Sequence, residues 1–232
     1  MEGSRGVKPR GSVALMDAHR LSDAGDADFY PTPPWGARAG GELIRALDPA
    51  GRTCWEPACG AGHLALGLGE YFDQVVTSDL LGYGGGALFD FCQPGPAPVQ
   101  ADWIVTNPPF NRAAEFITLG RQRARRGLAL LMRAGGLESI GRHRLVYGDP
   151  VTGEGCAAAF APFVERLPMH KGRWEPEGVT AAFYGWFIWF APGVGFEPPV
   201  VLGKRRPVTI DIPPGSCARL TRPDDAARMG VR

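Results

Sequence analysis

Asn107, Pro108, Pro109 and Phe110 follow a short apolar run, Trp103-Ile104-Val105-Thr106, that reads as a buried strand. These four residue types suit one kind of chemistry. An exocyclic amine on an aromatic ring is a poor nucleophile, because its lone pair is delocalised into the ring. The Asn107 side-chain oxygen and the Pro108 carbonyl form an acceptor pair for the two amine hydrogens. Held that way, the nitrogen is favoured to become pyramidal, with its lone pair free to attack. The two prolines lack N–H groups and fix φ, so the loop is stiff. Phe110 offers a flat face to a ring. On its own the tetrapeptide also fits an ordinary strand-to-loop turn.

A second stretch narrows the choice. Residues 52–55 suit a strand and residues 64–71 a helix; between them lies Glu56-Pro57-Ala58-Cys59-Gly60-Ala61-Gly62. Glycines at such a turn let the backbone approach a ligand closely. The G-x-G-x-x-G pattern is incomplete and no phosphate-binding lysine follows, so nucleotide hydrolysis fits poorly. Next comes Gln74-Val75-Val76-Thr77-Ser78-Asp79, a strand ending in an acid that can accept from both hydroxyls of a ribose. Ala87-Leu88-Phe89-Asp90-Phe91 then sets an acid beside an aromatic.

The segment from Glu56 to Gly62 resembles motif I of S-adenosylmethionine-dependent methyltransferases, and Asn-Pro-Pro-Phe resembles the active-site tetrapeptide of the amino-methyltransferases among them. Upstream, Phe29-Tyr30-Pro31-Thr32-Pro33-Pro34-Trp35 resembles the segment that closes over the methionine part of the cofactor. The order is that of N6-adenine methyltransferases with this segment at the N-terminal side. Past residue 130, Met132-Arg133, Leu137-Glu138, Arg142-His143-Arg144-Leu145, Asp149-Pro150, Arg166-Leu167-Pro168 and the aromatic run 182–189 resemble the small phage- and prophage-type DNA enzymes. The resemblance covers roughly residues 28–192. It implies S-adenosylmethionine as cofactor, held by Tyr30, Thr32, Pro33, Glu56, Ala58, Cys59, Gly60, Gly62, Asp79, Asp90 and Phe91. It implies Asn107, Pro108, Pro109 and Phe110 as catalytic residues and DNA as substrate. RNA amines (adenine N6, guanine N2) and protein glutamine are the alternative substrates on the same motif. A module that binds without turnover is a third reading, disfavoured because every expected catalytic position holds a competent residue.

These residues must be positioned by regular elements. Strands are expected near 52–56, 74–79, 87–89, 102–106 and 127–132, with helices near 37–47, 61–71, 111–126 and 136–146. Such alternation gives an α/β fold, a mostly parallel sheet with helices on both faces. The resemblance makes it a Rossmann-like methyltransferase fold closed by an antiparallel strand. The candidate residues then share the carboxyl ends of the strands, where ligands bind in such sheets. Arg121, Arg123, Arg125 and Arg126 read as dipole compensation at a helix C-terminus. The last core strands, near 159–167 and 182–190, are joined by residues 168–178. That loop puts Lys171, Arg173 and Trp174 in reach of phosphate and base if it emerges on the catalytic face. Arg142 and Arg144, within residues 135–155, form a second candidate substrate patch, and Arg133 a third element.

Composition bounds the rest. The 232 residues are 44% hydrophobic and 21% charged, enough for one sizeable domain. The net charge of +1 excludes a globally basic nucleic-acid binder, so any footprint must be local. The longest apolar stretch is too short for a membrane span, and residues 1–11 lack the apolar core of a secretory signal. Five cysteines without a C-x-x-C pair suggest reduced thiols and a cytoplasmic protein, and the four histidines lack metal spacing. His63 reads as a surface or helix residue, and His170 as the one histidine near substrate. Residues 1–27 are expected as a flexible arm, 28–203 as the methyltransferase domain and 204–232 as a tail.

Overall fold

The structure is a computed structural model that describes residues 29–138 and 140–229. The expected arm, residues 1–27, lies outside the described residues. The chain enters on helix α1, Pro34–Leu47, whose first residue is proline, where a missing N–H costs nothing. Strand β1, Thr53–Glu56, is followed by α2, His63–Leu68, β2, Gln74–Asp79, and the short β3, Ala87–Leu88. Then come β4, Trp103–Thr106, α3, Ala113–Arg123, β5, Gly127–Arg133, and α4, His143–Tyr147. Strands β6, Ala159–Pro162, and β7, Tyr184–Phe190, complete the expected set.

The sheet runs β10-β6-β7-β5-β4-β1-β2-β3, where β10 is Val208–Thr209. Every neighbouring pair is parallel except those made by β7, which is antiparallel to both β5 and β6. The expected Rossmann-like α/β sheet is present, with β7 reversed. Because β6 runs with the parallel strands, the connection from 163 to 183 emerges at their carboxyl ends.

Alternate residues of the strands feed two cores. Cys54, Trp103, Val105, Ala129, Leu131, Trp186 and Ile188 pack on the face covered by α1 and α2. Trp55, Ile104, Leu128, Leu130, Phe187 and Trp189 pack on the other, against Ile117 of α3. This period of two, apolar on both sides, is what a doubly covered sheet demands.

Several boundaries differ from the sequence expectation. The helix expected over 136–146 is two 3₁₀ turns and then α4, because Gly135-Gly136 favour no helix. The helix expected over 61–71 is limited to α2, since Gly62 sits at φ +86° and cannot be helical. The arginines after α3 are not simple dipole compensators. Arg126 pairs with buried Asp48 at 2.6 Å and Arg125 with Asp102 at 3.1 Å. Arg123 donates to the carbonyls of Phe91, Gln93 and Gly95.

The largest difference lies beyond residue 203, where a tail was expected. A hairpin, β8 (Val200–Val201) with β9 (Lys204–Arg205), leads into β10, which pairs with β6. Helix α5, Ser216–Leu220, packs on α1, and α6, Asp225–Arg228, follows. Asp225 holds the Arg38 guanidinium through two hydrogen bonds, 2.7 and 2.8 Å, with both side chains almost wholly buried. Local polarity misled the expectation, because the ion pair joins residues far apart in sequence.

Candidate functional site

Strand order reverses at β1, which has β2 on one side and β4 on the other. In open α/β sheets the crevice beyond the carboxyl ends at such a point receives the ligand. Glu56 ends β1 and Asn107 follows β4, and both line a cleft of about 460 Å³. Tyr30, Thr32, Ala58, Cys59, Gly60, Asp79, Asp90, Phe91 and Pro109 also line it. Most of the residues singled out in the sequence thus converge on one cavity.

The glycine turn is held from behind. Asp79 Oδ2 accepts the Gly60 N–H at 2.7 Å, and Oδ1 accepts the Leu81 N–H at 2.8 Å. Burial raises the Asp79 carboxyl above its ordinary value, with those amides opposing. Gly85 donates to the Gly60 carbonyl at 3.2 Å, and a Cβ there would lie 2.5 Å from that oxygen. Residues 82–86, rich in glycine, therefore form the outer wall of the turn, a role the sequence reading missed. Tyr83 in that wall stacks on Phe29, with ring centroids 4.7 Å apart.

Glu56 is buried, and its Oε2 has no hydrogen-bond partner among the described residues. Burial pushes its carboxyl well above the usual range. Burial, with the neighbouring Glu56 and Asp79 charges, pushes the Cys59 thiol up to about 12, so it is no nucleophile at neutral pH.

Asn107 is fixed by its amide nitrogen. Nδ2 donates to the Tyr30 carbonyl at 3.0 Å and to Thr32 Oγ1 at 3.3 Å, with Met169 Sδ at 3.7 Å. A carbonyl can only accept, so the amide must point its nitrogen there. Oδ1 is left without a partner among the described residues, an acceptor at the cleft. The segment at Tyr30 and Thr32 therefore orients the catalytic candidate besides lining the cavity.

Five expected site residues stand elsewhere. Pro33 caps α1, and Gly62 supplies the left-handed turn before α2; neither lines the cleft. Pro108 and Phe110 border a second cavity of about 220 Å³, shared with Met132, Arg133 and Arg142. Trp174 is 9% exposed, a core side chain and not an open stacking platform. Arg173 is exposed but paired with Glu175 at 2.5 Å, while Lys171 and Arg144 are exposed. His63, read as a surface residue, lines the cleft, and burial lowers its basicity. Its position after a turn glycine gave no sign of this, whereas Phe29 and Tyr83 could have been found from the aromatic–glycine pattern.

Among the described residues no group of histidine, cysteine and acidic side chains could hold a metal ion, and no helix is long and apolar enough to cross a membrane.

No family model matches this chain, and no curated protein matches it in sequence. Among solved structures its fold is that of Rossmann-like methyltransferases. It is similar to the type I restriction-modification system methyltransferase subunit from Streptococcus thermophilus. That match has a TM-score of 0.54 and 14% identity and covers 84% of this chain and 50% of that one. The chain thus spans half the length of that subunit. It is also similar to a Pyrococcus horikoshii protein assigned as an RNA methyltransferase. Here the TM-score is 0.50 and the identity 14%, over 71% of this chain and 88% of that one.

Proposed function

We propose that this chain is an S-adenosylmethionine-dependent methyltransferase that modifies an exocyclic base amine in nucleic acid, adenine N6 in DNA being the first reading. The observation that carries the proposal is the orientation of Asn107. Its nitrogen is committed to Tyr30 and Thr32, so its oxygen faces the cleft that Glu56, Gly60 and Asp79 also line.

The cleft fits the cofactor by its donor set. The unpartnered Glu56 Oε2 in the wall suits an ammonium group, whose charge would offset the carboxylate's burial. Asp79 keeps a lone pair on each oxygen for ribose hydroxyls. When bound, S-adenosylmethionine supplies an electrophilic methyl group. The chain's residues do the rest: Asn107 Oδ1 and the Pro108 carbonyl accept the amine hydrogens and orient the lone pair. A base within a duplex must be extruded to reach them, at a cost of a few kcal/mol.

The phage-type motifs after residue 130 favour DNA. The likeness to a protein assigned to RNA makes RNA the second reading. Transfer of tritiated methyl from labelled cofactor to DNA, RNA and protein, run in parallel, tests both. Label in DNA alone is the expected result. Label in RNA or protein alone would replace the substrate, and label in none would remove the enzymatic reading.

A further inference from the structure

Phe110 carries an unusual neighbour for a ring meant to stack on a base. The guanidinium carbon of Arg133 lies 4.2 Å from its centroid, within cation–π range, and Tyr30 sits against the ring at 5.0 Å, tilted by 52°. Arg133 ends β5 and is exposed. Its Nε donates to Tyr184 Oη at 3.2 Å, across the β5–β7 pair in which the two residues face one another. It has no carboxylate partner among the described residues. Arg142, which shares the second cavity with Arg133, Pro108 and Phe110, has none there either.

Two flat groups cannot occupy one face of a ring. Either the guanidinium yields when an aromatic amine stacks on Phe110, or that amine binds elsewhere. A long side chain tethered by one neutral hydrogen bond at a strand end can swing with little cost. Two uncompensated arginines beside the second cavity are suited to the phosphate that accompanies a nucleobase and not to a glutamine side chain.

On the methyl-transfer reading above, we propose that Arg133 determines substrate class: its guanidinium holds the face of Phe110 in the free protein, gives way to the incoming base, and then, with Arg142, takes the phosphate of that nucleotide. A substrate with both ring and phosphate recovers the displaced interaction. A substrate with the ring alone does not.

The test compares the full-length protein with Arg133→Ala and Arg133→Lys. Methyl transfer is measured on a short oligonucleotide and on free adenosine, which has no phosphate. For Arg133→Ala the expected outcome is a KM raised about tenfold for the oligonucleotide and lowered for adenosine, with kcat on the oligonucleotide little changed. The salt dependence of oligonucleotide binding should flatten by about one unit of slope. Arg133→Lys should restore the slope. Cofactor affinity by calorimetry should match wild type in both variants, which reports an intact fold. Shifts in the same direction for both substrates, or no shift, overturn the proposal. Should the wild type methylate no nucleic acid, the methyl-transfer reading fails separately. Arg133 is then judged by equilibrium binding of adenosine and adenosine 5′-monophosphate, where the same opposite shifts are required.

Discussion

Asn107 makes a sharp prediction, because its two amide ends do different things. Asn107→Ala removes the acceptor and should abolish methyl transfer while cofactor affinity in a calorimetric titration stays within a few-fold of wild type. Asn107→Asp keeps an acceptor but turns a carboxylate toward the Tyr30 carbonyl. It should be nearly as inactive, because the repulsion moves the group off its geometry. Turnover near wild type in Asn107→Asp would show that the Tyr30 contact does not orient the amide. Asp79 carries a second prediction. Its alanine variant loses the ribose acceptor and also releases the Gly60 amide. Cofactor binding should weaken by at least about 1.5–3 kcal/mol. A loss much smaller than that would place the ribose elsewhere. These residues were legible in the sequence because each chemistry sits in a contiguous motif. Arg133 on Phe110 was not, since that contact depends on how two strand ends face one another. His63 escaped for the same reason: whether it borders the cleft depends on where α2 leaves the glycine turn.

At the scale of elements, the chain from β1 to β5 could be read from alternating apolar runs and intervening helices, because a doubly covered parallel sheet writes that pattern locally. The C-terminal segment could not. Its strands are two residues long, and its anchoring contact is the buried Arg38–Asp225 pair. Burial alone would raise the Asp225 carboxyl; the Arg38 hydrogen bonds outweigh it, so the group sits below its ordinary value. Its stabilising contribution is therefore present above the unfolded-state carboxylate value and is lost as pH falls through the lower folded value. Asp225→Ala leaves Arg38 buried and unpaired, and should cost about 3–5 kcal/mol in urea unfolding at pH 7. Asp225→Asn should in addition weaken the acid-side decline in stability. An Asp225→Ala protein as stable as wild type would mean that α5 and α6 are dispensable ornaments on α1.

The whole molecule is nearly neutral, +1 over 232 residues, so its grip on a polyanion must come from where its charges stand. The β6–β7 connection emerges at the carboxyl ends of the parallel strands, the end at which the cleft opens. This puts Lys171 and Arg173 on the side that nucleic acid would meet. The two are not equivalent. Arg173 shares its charge with Glu175 at 2.5 Å, so replacing it removes an ion pair already screened from phosphate. Replacing both with alanine should therefore flatten the salt dependence of DNA binding by about one unit and not two. Cofactor affinity should not change. Trp174, between bulk solvent and the core, belongs to a different ledger. Trp174→Ala should lower thermal stability by about 3–5 kcal/mol through lost packing, with no change in salt slope. If the double variant keeps the wild-type slope, the phosphate contacts lie instead on Arg133, Arg142 and Arg144, and the 168–178 connection serves only to carry Met169 and Trp174 into place.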